Sequence, residues 1–503
     1  MRIKSLLAYI SRLFLWCIGC CLIHPVQAQD DSDSLNVTLE QGFYYSSNEL
    51  TLPHYLVFNR FGKVDETDEM FLGVNAFYQK QITPNITVEG GLGFRNDIAT
   101  QYYLRSIIYG WELKLGRLQE TIGGLSPELS SGSLAISNNA LPLTQVGIST
   151  NGYKEVPFTK GYFKLKGSIS HRWLGEDRVV RNAYLHEKSF YALVDLPMFG
   201  LELSSGLVHF AQWGGTLPNG DELPSSFSDF GKVFLGRGSG EETDGSSAGE
   251  ANALGNHLGI TEIGIRKYLK EHVLDLRYQK PFEDGGSAQL LSFKDYLVSV
   301  EWQLPPSVTI VNKVLVEYMQ TKSQGGPGLP DFVEGVDNFG FEFGGRDDYY
   351  NNFLYRSGWT NRGQVMGSPL FLTHDRLTLF TPFFPSYDVA IANNRLSAFH
   401  LAASGVFKEK LNYSIRTTFT RNFGTYAGIY QGRFNWFGIQ TNPEFEYPLR
   451  PALKQFYGAL QVGYDGAFGV PSLNINVIFA VDQGEIYDAV GGELRVSYAL
   501  FKD

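Results

Sequence analysis

The last thirty residues constrain the fold more than any other stretch of the chain. In residues 472–482 the odd positions are Leu473, Ile475, Val477, Phe479 and Val481, while the even positions begin Ser472, Asn474 and Asn476. In residues 492–501, Leu494, Val496, Tyr498 and Leu500 alternate with Glu493, Arg495, Ser497 and Ala499. Successive side chains of a strand point to opposite faces, so each segment has one apolar and one polar face. Each run is about ten residues, the length that crosses a bilayer as a tilted strand, whereas strands of soluble proteins are usually nearer five or six. In lipid such a strand is stable only if the sheet closes on itself and leaves no unpaired edge. Leu473, Ile475, Val477, Leu494, Val496 and Tyr498 should therefore face lipid, with Glu493 and Arg495 inside.

The same alternation recurs along the chain. Residues 70–79, 86–95, 102–117 (bent at Gly110), 163–169, 190–195, 201–210, 257–268, 273–280, 296–303, 309–320, 396–407, 413–420 and 456–464 read as strands, and the tally reaches about eighteen. Their polar faces carry both signs, including Glu89, Arg95, Glu112, Lys114, Lys164, Lys166, Lys313, Glu317 and Arg416. Such charges would each cost a few kcal/mol against lipid near the midplane, so they should face a lumen and pair there. Four irregular blocks interrupt the strands: residues 119–142, 212–255, 323–369 and 421–451. They are longer than hairpin turns need, and long loops are usually functional or disordered. Residues 236–249 are acidic and Gly/Ser-rich. Residues 48–62 fit no strand and are expected at the periplasmic mouth. The fold class is all-β: a transmembrane, antiparallel outer-membrane β-barrel with long loops that block its pore.

Residues 1–28 read as a cleaved signal peptide. Arg2, Lys4 and Arg12 precede an apolar run, and Val26-Gln27-Ala28 offers a small-residue cleavage site. A membrane anchor and a lipoprotein signal are the alternatives; the run is short for a span, and Cys17 stands where a lipobox usually has Leu. Residues 29–503 would form one barrel domain, exported to the outer membrane of a Gram-negative cell. Cys17, Cys20 and Cys21 all lie in the leader, which leaves the mature chain no thiol chemistry. Removing it leaves 39 basic and 52 acidic residues, a net charge of −13, which disfavours nucleic acid as a partner.

Little in the chain reads as catalytic or metal-binding. The eight histidines beyond the leader show no His-x-x-x-His spacing, and no Gly-x-Ser-x-Gly elbow occurs. Glu283-Asp284 precedes a Gly pair and reads as a turn. Neither enzyme activity nor a cofactor or metal is expected. The aromatic loops are more informative: Gln212-Trp213-Gly214-Gly215, residues 355–362 and the region of Trp436 place Trp beside Gln, Asn and Arg. Aromatic faces stack on sugar rings, and amides and guanidinium groups bond hydroxyls and carboxylates. Gln212, Trp213, Trp359, Arg362 and Trp436 are the candidate glycan contacts. An aromatic belt at the lipid headgroups is the competing reading of the same Trp residues.

Several blocks resemble the Wzi-type capsule assembly family of outer-membrane proteins. They are residues 131–140, His186-Glu187-Lys188, residues 209–215 and 278–284, Tyr350-Asn351-Asn352, Gly358-Trp359-Thr360, Gly367-Ser368-Pro369-Leu370, Asn393-Asn394-Arg395-Leu396 with Phe399-His400, and residues 421–426. Together they span roughly residues 50 to 430. The resemblance implies an eighteen-stranded barrel with a small helical periplasmic piece and occluding loops. It also implies a lectin-like surface protein, without enzyme activity, that binds exported capsular polysaccharide and helps assemble or anchor the capsule. The expected partners are that polysaccharide, outer-membrane lipid and the polysaccharide export machinery, and the expected state is a monomer. A porin-like channel for small solutes or oligosaccharides is the alternative function. The acidic stretch 236–249 is a departure from the family, and no amphipathic helix is evident near the N-terminus.

Overall fold

The computed structural model describes residues 33–237, 253–283, 294–308, 310–325, 347–380, 389–408, 410–426, 449 and 451–501. Nineteen described strand segments form one antiparallel sheet, and Asp33–Ser46 pairs with Ala489–Phe501 to close it. Thr144–Thr150 and Lys154–Glu155 both pair with Phe163–Trp173 along the same edge. They are one interrupted strand, so the barrel has eighteen.

The closing hairpin has the expected register. Leu473, Ile475 and Val477 lie opposite Tyr498, Val496 and Leu494. Val477 and Leu494 are about half exposed on the outer wall, at 46% and 45%, while Glu493 is buried and bonds the loop residue Arg60. Several of the other lumen charges pair. Glu89 meets Arg105 at 2.5 Å, Glu112 meets Lys114 at 3.3 Å, and Lys164 meets Asp195 at 2.9 Å. The bend foreseen at Gly110 is a two-residue turn between Ile98–Ile108 and Trp111–Arg117. Tyr109 and Gly110 both take positive φ there, at 48° and 81°, the geometry that matches strand twist in a tight hairpin.

The connections are unequal at the two ends. Those on the side of Asp33 and Phe501 are never longer than nine residues, whereas the opposite end carries residues 47–69, 118–143, 214–255 and 321–395. Outer-membrane barrels keep short turns in the periplasm and long loops outside the cell, which orients the molecule.

Three of those loops fold back into the lumen. Along residues 118–143, the Gly124 amide donates to Glu262 (3.2 Å), Ser133 Oγ donates to Gln279 (3.2 Å), and the amide and hydroxyl of Ser131 both donate to Glu317 (2.7 Å each). Leu129 packs on Leu315 and Ala402, and its carbonyl accepts from His400 Nε2 at 2.7 Å. These partners lie on four different barrel strands, so the loop reaches across the lumen. Residues 47–69 join it: the His54 amide donates to Asp482 (2.6 Å), and Asn59 bonds Asn139 (3.0 Å). This places residues 48–62 within the extracellular half and not at the periplasmic mouth. The described α-helices, His54–Val57, Phe227–Leu235 and His374–Phe380, likewise belong to long-loop segments, and the short turns on the periplasmic side carry only the 3-10 turns Pro197–Phe199 and Ala467–Gly469 among the described residues. No described helix is long and apolar enough to cross a membrane.

Candidate functional site

The extracellular mouth is built from the plug upward. Residues 347–373 form its top layer and are tied to residues 118–143 beneath. Trp359 Nε1 donates to the Ala135 carbonyl at 2.7 Å, Ser137 Oγ donates to the Gly367 carbonyl at 2.6 Å, and Asn361 Nδ2 donates to the Leu141 carbonyl at 2.6 Å. Tyr350 OH bonds the Leu134 carbonyl and also approaches Gly367, where any Cβ would collide with the phenol oxygen. Glu283 accepts from the Tyr350 amide at 2.8 Å, a structural bond consistent with its reading as a turn residue; Asp284 lies outside the described residues. Arg178 anchors the layer from the side, donating to the carbonyls of Gly358 (2.7 Å) and Thr360. Burial draws its guanidinium down to about 10, with the charge of neighbouring Asp177 offsetting only part of the cost, and the two carbonyls supply its hydrogen bonds.

The structure separates the glycan candidates. Gln212 and Trp213 both belong to the strand Leu201–Trp213, not to a loop, and adjacent strand residues face opposite ways. Gln212 points inward, where its amide donates to the Gly358 carbonyl (3.2 Å) and its carbonyl accepts from Asn256 (3.1 Å). Trp213 points outward, beneath the helix Phe227–Leu235, with Tyr184 and Phe230 at 5.1 and 5.7 Å. A capping box at Ser226 and Asp229 starts that helix, and its apolar face covers the wall. Trp173 also ends a strand. Trp359 is fully buried, edge-on to Phe210 at 5.4 Å. Neither Trp359 nor Trp213 therefore presents an open ring to a polymer; both are packing residues. Gln212 and Trp359 do meet, but around Gly358 inside the plug. Trp436 lies outside the described residues.

Arg362 is the exception. It sits at the tip of the small hairpin Thr360–Asn361 to Gln364–Val365, exposed, with φ +51°, followed by Gly363 at φ +74°. A side chain other than Gly in this left-handed region costs about 1 kcal/mol or more. Among the described residues it forms no ion pair. On the same segment Phe353 is 52% exposed, and Arg356 Nε donates to its carbonyl at 3.2 Å, leaving the Arg356 side chain at the surface. Asn351, Tyr355 and Gly358, between and beside them in the chain, are buried. Sequence reasoning missed Phe353, because nothing in a loop's pattern says which aromatic is packed and which is open. Arg356 was visible as part of the run of residues 355–362. Among the described residues no three His, Cys, Asp or Glu side chains converge as a metal site.

These features define a class: an outer-membrane β-barrel whose extracellular half is filled by its own loops, beneath an aromatic and basic rim. Residues 99–379, more than half of the chain, match the Wzi capsule assembly family. The chain belongs to that family. Among solved structures it is similar to Wzi of Escherichia coli, described as an outer-membrane, carbohydrate-binding β-barrel involved in group 1 capsule assembly. The two are 14% identical with a TM-score of 0.56, over 91% of this chain and 83% of that one, which establishes a shared fold. Looser likenesses are OprD of Pseudomonas aeruginosa (12% identity, TM-score 0.44, 94% of this chain and 97% of that one) and OccK5 of the same organism (10%, 0.45, 93% and 98%). No curated protein matches the chain. The blocks that carry the family resemblance, such as residues 131–140, 358–360 and 367–370, are largely those that bond one another in the plug.

Proposed function

We propose that this capsule assembly protein binds exported capsular polysaccharide at its extracellular rim and so helps hold the capsule on the cell. The observation that carries the reading is Arg362: an exposed guanidinium on a strained hairpin tip, fixed by a plug that the barrel does not need for closure. Backbone strain of this kind concentrates at ligand-contacting sites. Phe353 supplies a face for stacking on a sugar ring, with the exposed Arg356 cation beside it. Gln212 and Trp359 act as positioning residues beneath Gly358, and Trp213 holds the outer helix. The carbohydrate-binding description of the Escherichia coli relative supports the same reading. The mature protein would be residues 29–503, released from a leader of residues 1–28, working as a monomer beside the export machinery.

The test uses the full barrel in nanodiscs and capsular polysaccharide purified from the producing strain, with binding followed by surface plasmon resonance. Replacing Arg356 and Arg362 by Ala should weaken binding about tenfold to a hundredfold, the effect of losing about 1–3 kcal/mol of charge-assisted bonding. Multivalent contact reduces the apparent loss, so short oligosaccharides should be compared with polymer. Unchanged binding of both forms by a correctly inserted double variant would refute the rim as the site.

A further inference from the structure

On the outer wall, near the extracellular ends of the strands, lies a groove of about 610 Å³. It crosses Lys313–Gln320, Leu396–Phe407, Leu411–Asn422 and Leu453–Asp465, with the end of Leu473–Gly484 at one edge. Their register sets two rows across the sheet. In the lower row Tyr318 lies opposite Phe399, Phe399 opposite Phe419, and Phe419 opposite Phe456. Tyr318, Phe399 and Phe419 are exposed, and the rings of Phe419 and Phe456 are 4.8 Å apart. In the upper row, two residues nearer the cell exterior, Ser397 lies opposite Arg421 and Arg421 opposite Lys454. Thr420 and Gln455, which alternate with these residues, are buried and face the lumen. Further down the same wall Ile415 lies opposite Leu460 and both are exposed, which continues the apolar band that hydrocarbon covers.

The upper row is out of charge balance. Like charges directly opposite on adjacent strands repel, yet Arg421 and Lys454 face each other, both are exposed, and neither forms an ion pair among the described residues. Arg421 lies 5.7 Å from the Phe423 ring, and Lys322 brings a further positive charge to the same ring at 4.4 Å. Among the described residues that line the groove the carboxylate is Glu485, and its Oε2 accepts from the Lys454 backbone amide at 2.7 Å, not from the ammonium. We propose that this groove is a docking site for one phosphate-bearing, acylated lipid of the outer leaflet. The phosphate bridges Arg421 and Lys454, the first as a fork of donors and the second as a point charge, and so relieves their repulsion. An acyl chain lies along Tyr318, Phe399, Phe419 and Phe456. Aromatic side chains at the headgroup level with cations just beyond them match the layering of such a lipid, chain below and anion above. An aromatic belt alone would need no unmatched pair of cations. The volume falls in the range of roughly 300–1,000 Å³ typical of ligand sites, which suits one headgroup with part of a chain. The groove is on the outer wall, away from Arg356 and Arg362, so the inference goes beyond the capsule reading and does not depend on it.

Native mass spectrometry of the full barrel released from detergent tests the site, with bisphosphorylated lipid A, its dephosphorylated form and phosphatidylglycerol as probes. One lipid A should be retained per barrel, and the dephosphorylated form should bind about tenfold or more weakly, as loss of a charge-assisted contact predicts. Arg421→Ala with Lys454→Ala should abolish that preference, and Arg421→Lys should keep it. Phe419→Ala should weaken both forms of lipid A while leaving their ratio intact. A thermal melt supplies a second readout: lipid A should raise the melting temperature of the parent and not that of the double variant, because a ligand stabilises only the state that binds it. Without lipid the double variant should melt no lower than the parent, since it loses a repulsion. Gel heat-modifiability confirms that each variant is folded, and Arg421→Lys with Phe419→Ala carries the test if the double variant is not. Lipid A binding that survives the double variant, equal binding of the dephosphorylated form, or phosphatidylglycerol competing as well as lipid A itself would overturn the proposal. A lipid-free dimer that the double variant disrupts would put a second copy on this face and overturn it equally. Lipid A binding lost in the Arg356→Ala, Arg362→Ala variant but kept in the groove variant would place the lipid at the rim, with the same consequence.

Discussion

Single side chains in this protein are governed by which of three environments they enter: lipid, lumen or plug. Trp359 and Arg362 are three residues apart, yet one is fully buried and the other is open. Asp348 shows what the plug costs. It accepts from Asn394 (2.9 Å), Asn351 (3.1 Å) and Thr425, but burial outweighs these bonds and pushes its carboxyl above the usual carboxylate range. The folded loop therefore retains a proton at pH values where the unfolded chain has lost it. Below the ordinary carboxylate pKa both states are protonated and this group costs nothing. As pH rises from that range through the raised folded value, ionising the buried carboxyl removes stability. The plug should be more resistant to urea at mildly acidic than at neutral pH. Asp348→Asn should shrink that difference, with Asp295, raised by the same cause, supplying a remainder. Urea midpoints followed by near-ultraviolet circular dichroism measure this, and an undiminished slope in the variant would exclude Asp348 as its source.

At the scale of elements, the strands were the most legible part of the sequence, because lipid enforces a period of two with few exceptions. The closing hairpin faces as its alternation requires. Val477, near the middle of Leu473–Gly484, points outward, and its neighbour Asn476 faces the lumen. Val477→Arg should therefore destabilise the barrel by about 2–4 kcal/mol, the depth-dependent cost of Arg against hydrocarbon. Asn476→Lys should cost far less. Guanidinium unfolding from phospholipid vesicles compares them, and equal costs would mean that the two faces are misassigned. The ends of strands were less legible. Leu201–Trp213 continues through Gln212 and Trp213, which composition had assigned to a loop, because the helix Phe227–Leu235 covers the outer wall there. An aromatic that would read as a loop residue or a belt anchor is instead the floor of a helix–sheet contact.

For the whole molecule, the decisive feature is that residues 47–69, 118–143 and 347–373 interlock inside the barrel. A closed ring of eighteen strands would otherwise leave an aqueous channel, as barrels of about this size do. Planar-bilayer recordings of the intact protein should show little steady conductance. Deleting residues 118–143, which bond four barrel strands and support Trp359, should produce large, stable steps. Trp359→Ala should produce brief openings, since the buried ring and its bond to Ala135 join the two loop layers. Porin-like conductance from the intact protein would favour the channel function over the capsule reading.

What the sequence determined by itself is the barrel: its strand class, its length of strand, its orientation of apolar and charged faces, and the presence of loops too long to be turns. These follow from local alternation and from the rule that lipid tolerates no unpaired backbone. The blocks at residues 131–140, 358–360 and 367–370 were also visible, but their meaning was not. Only the tertiary structure decided that they meet one another, that Trp359 and Gln212 converge on Gly358, and that Arg362, Arg356 and Phe353 are left facing out. Irregular loops have no period to separate a buried face from an exposed one. Their side chains are assigned by contacts between segments more than two hundred residues apart, as Trp359 is by Ala135, and no local pattern encodes such a distance.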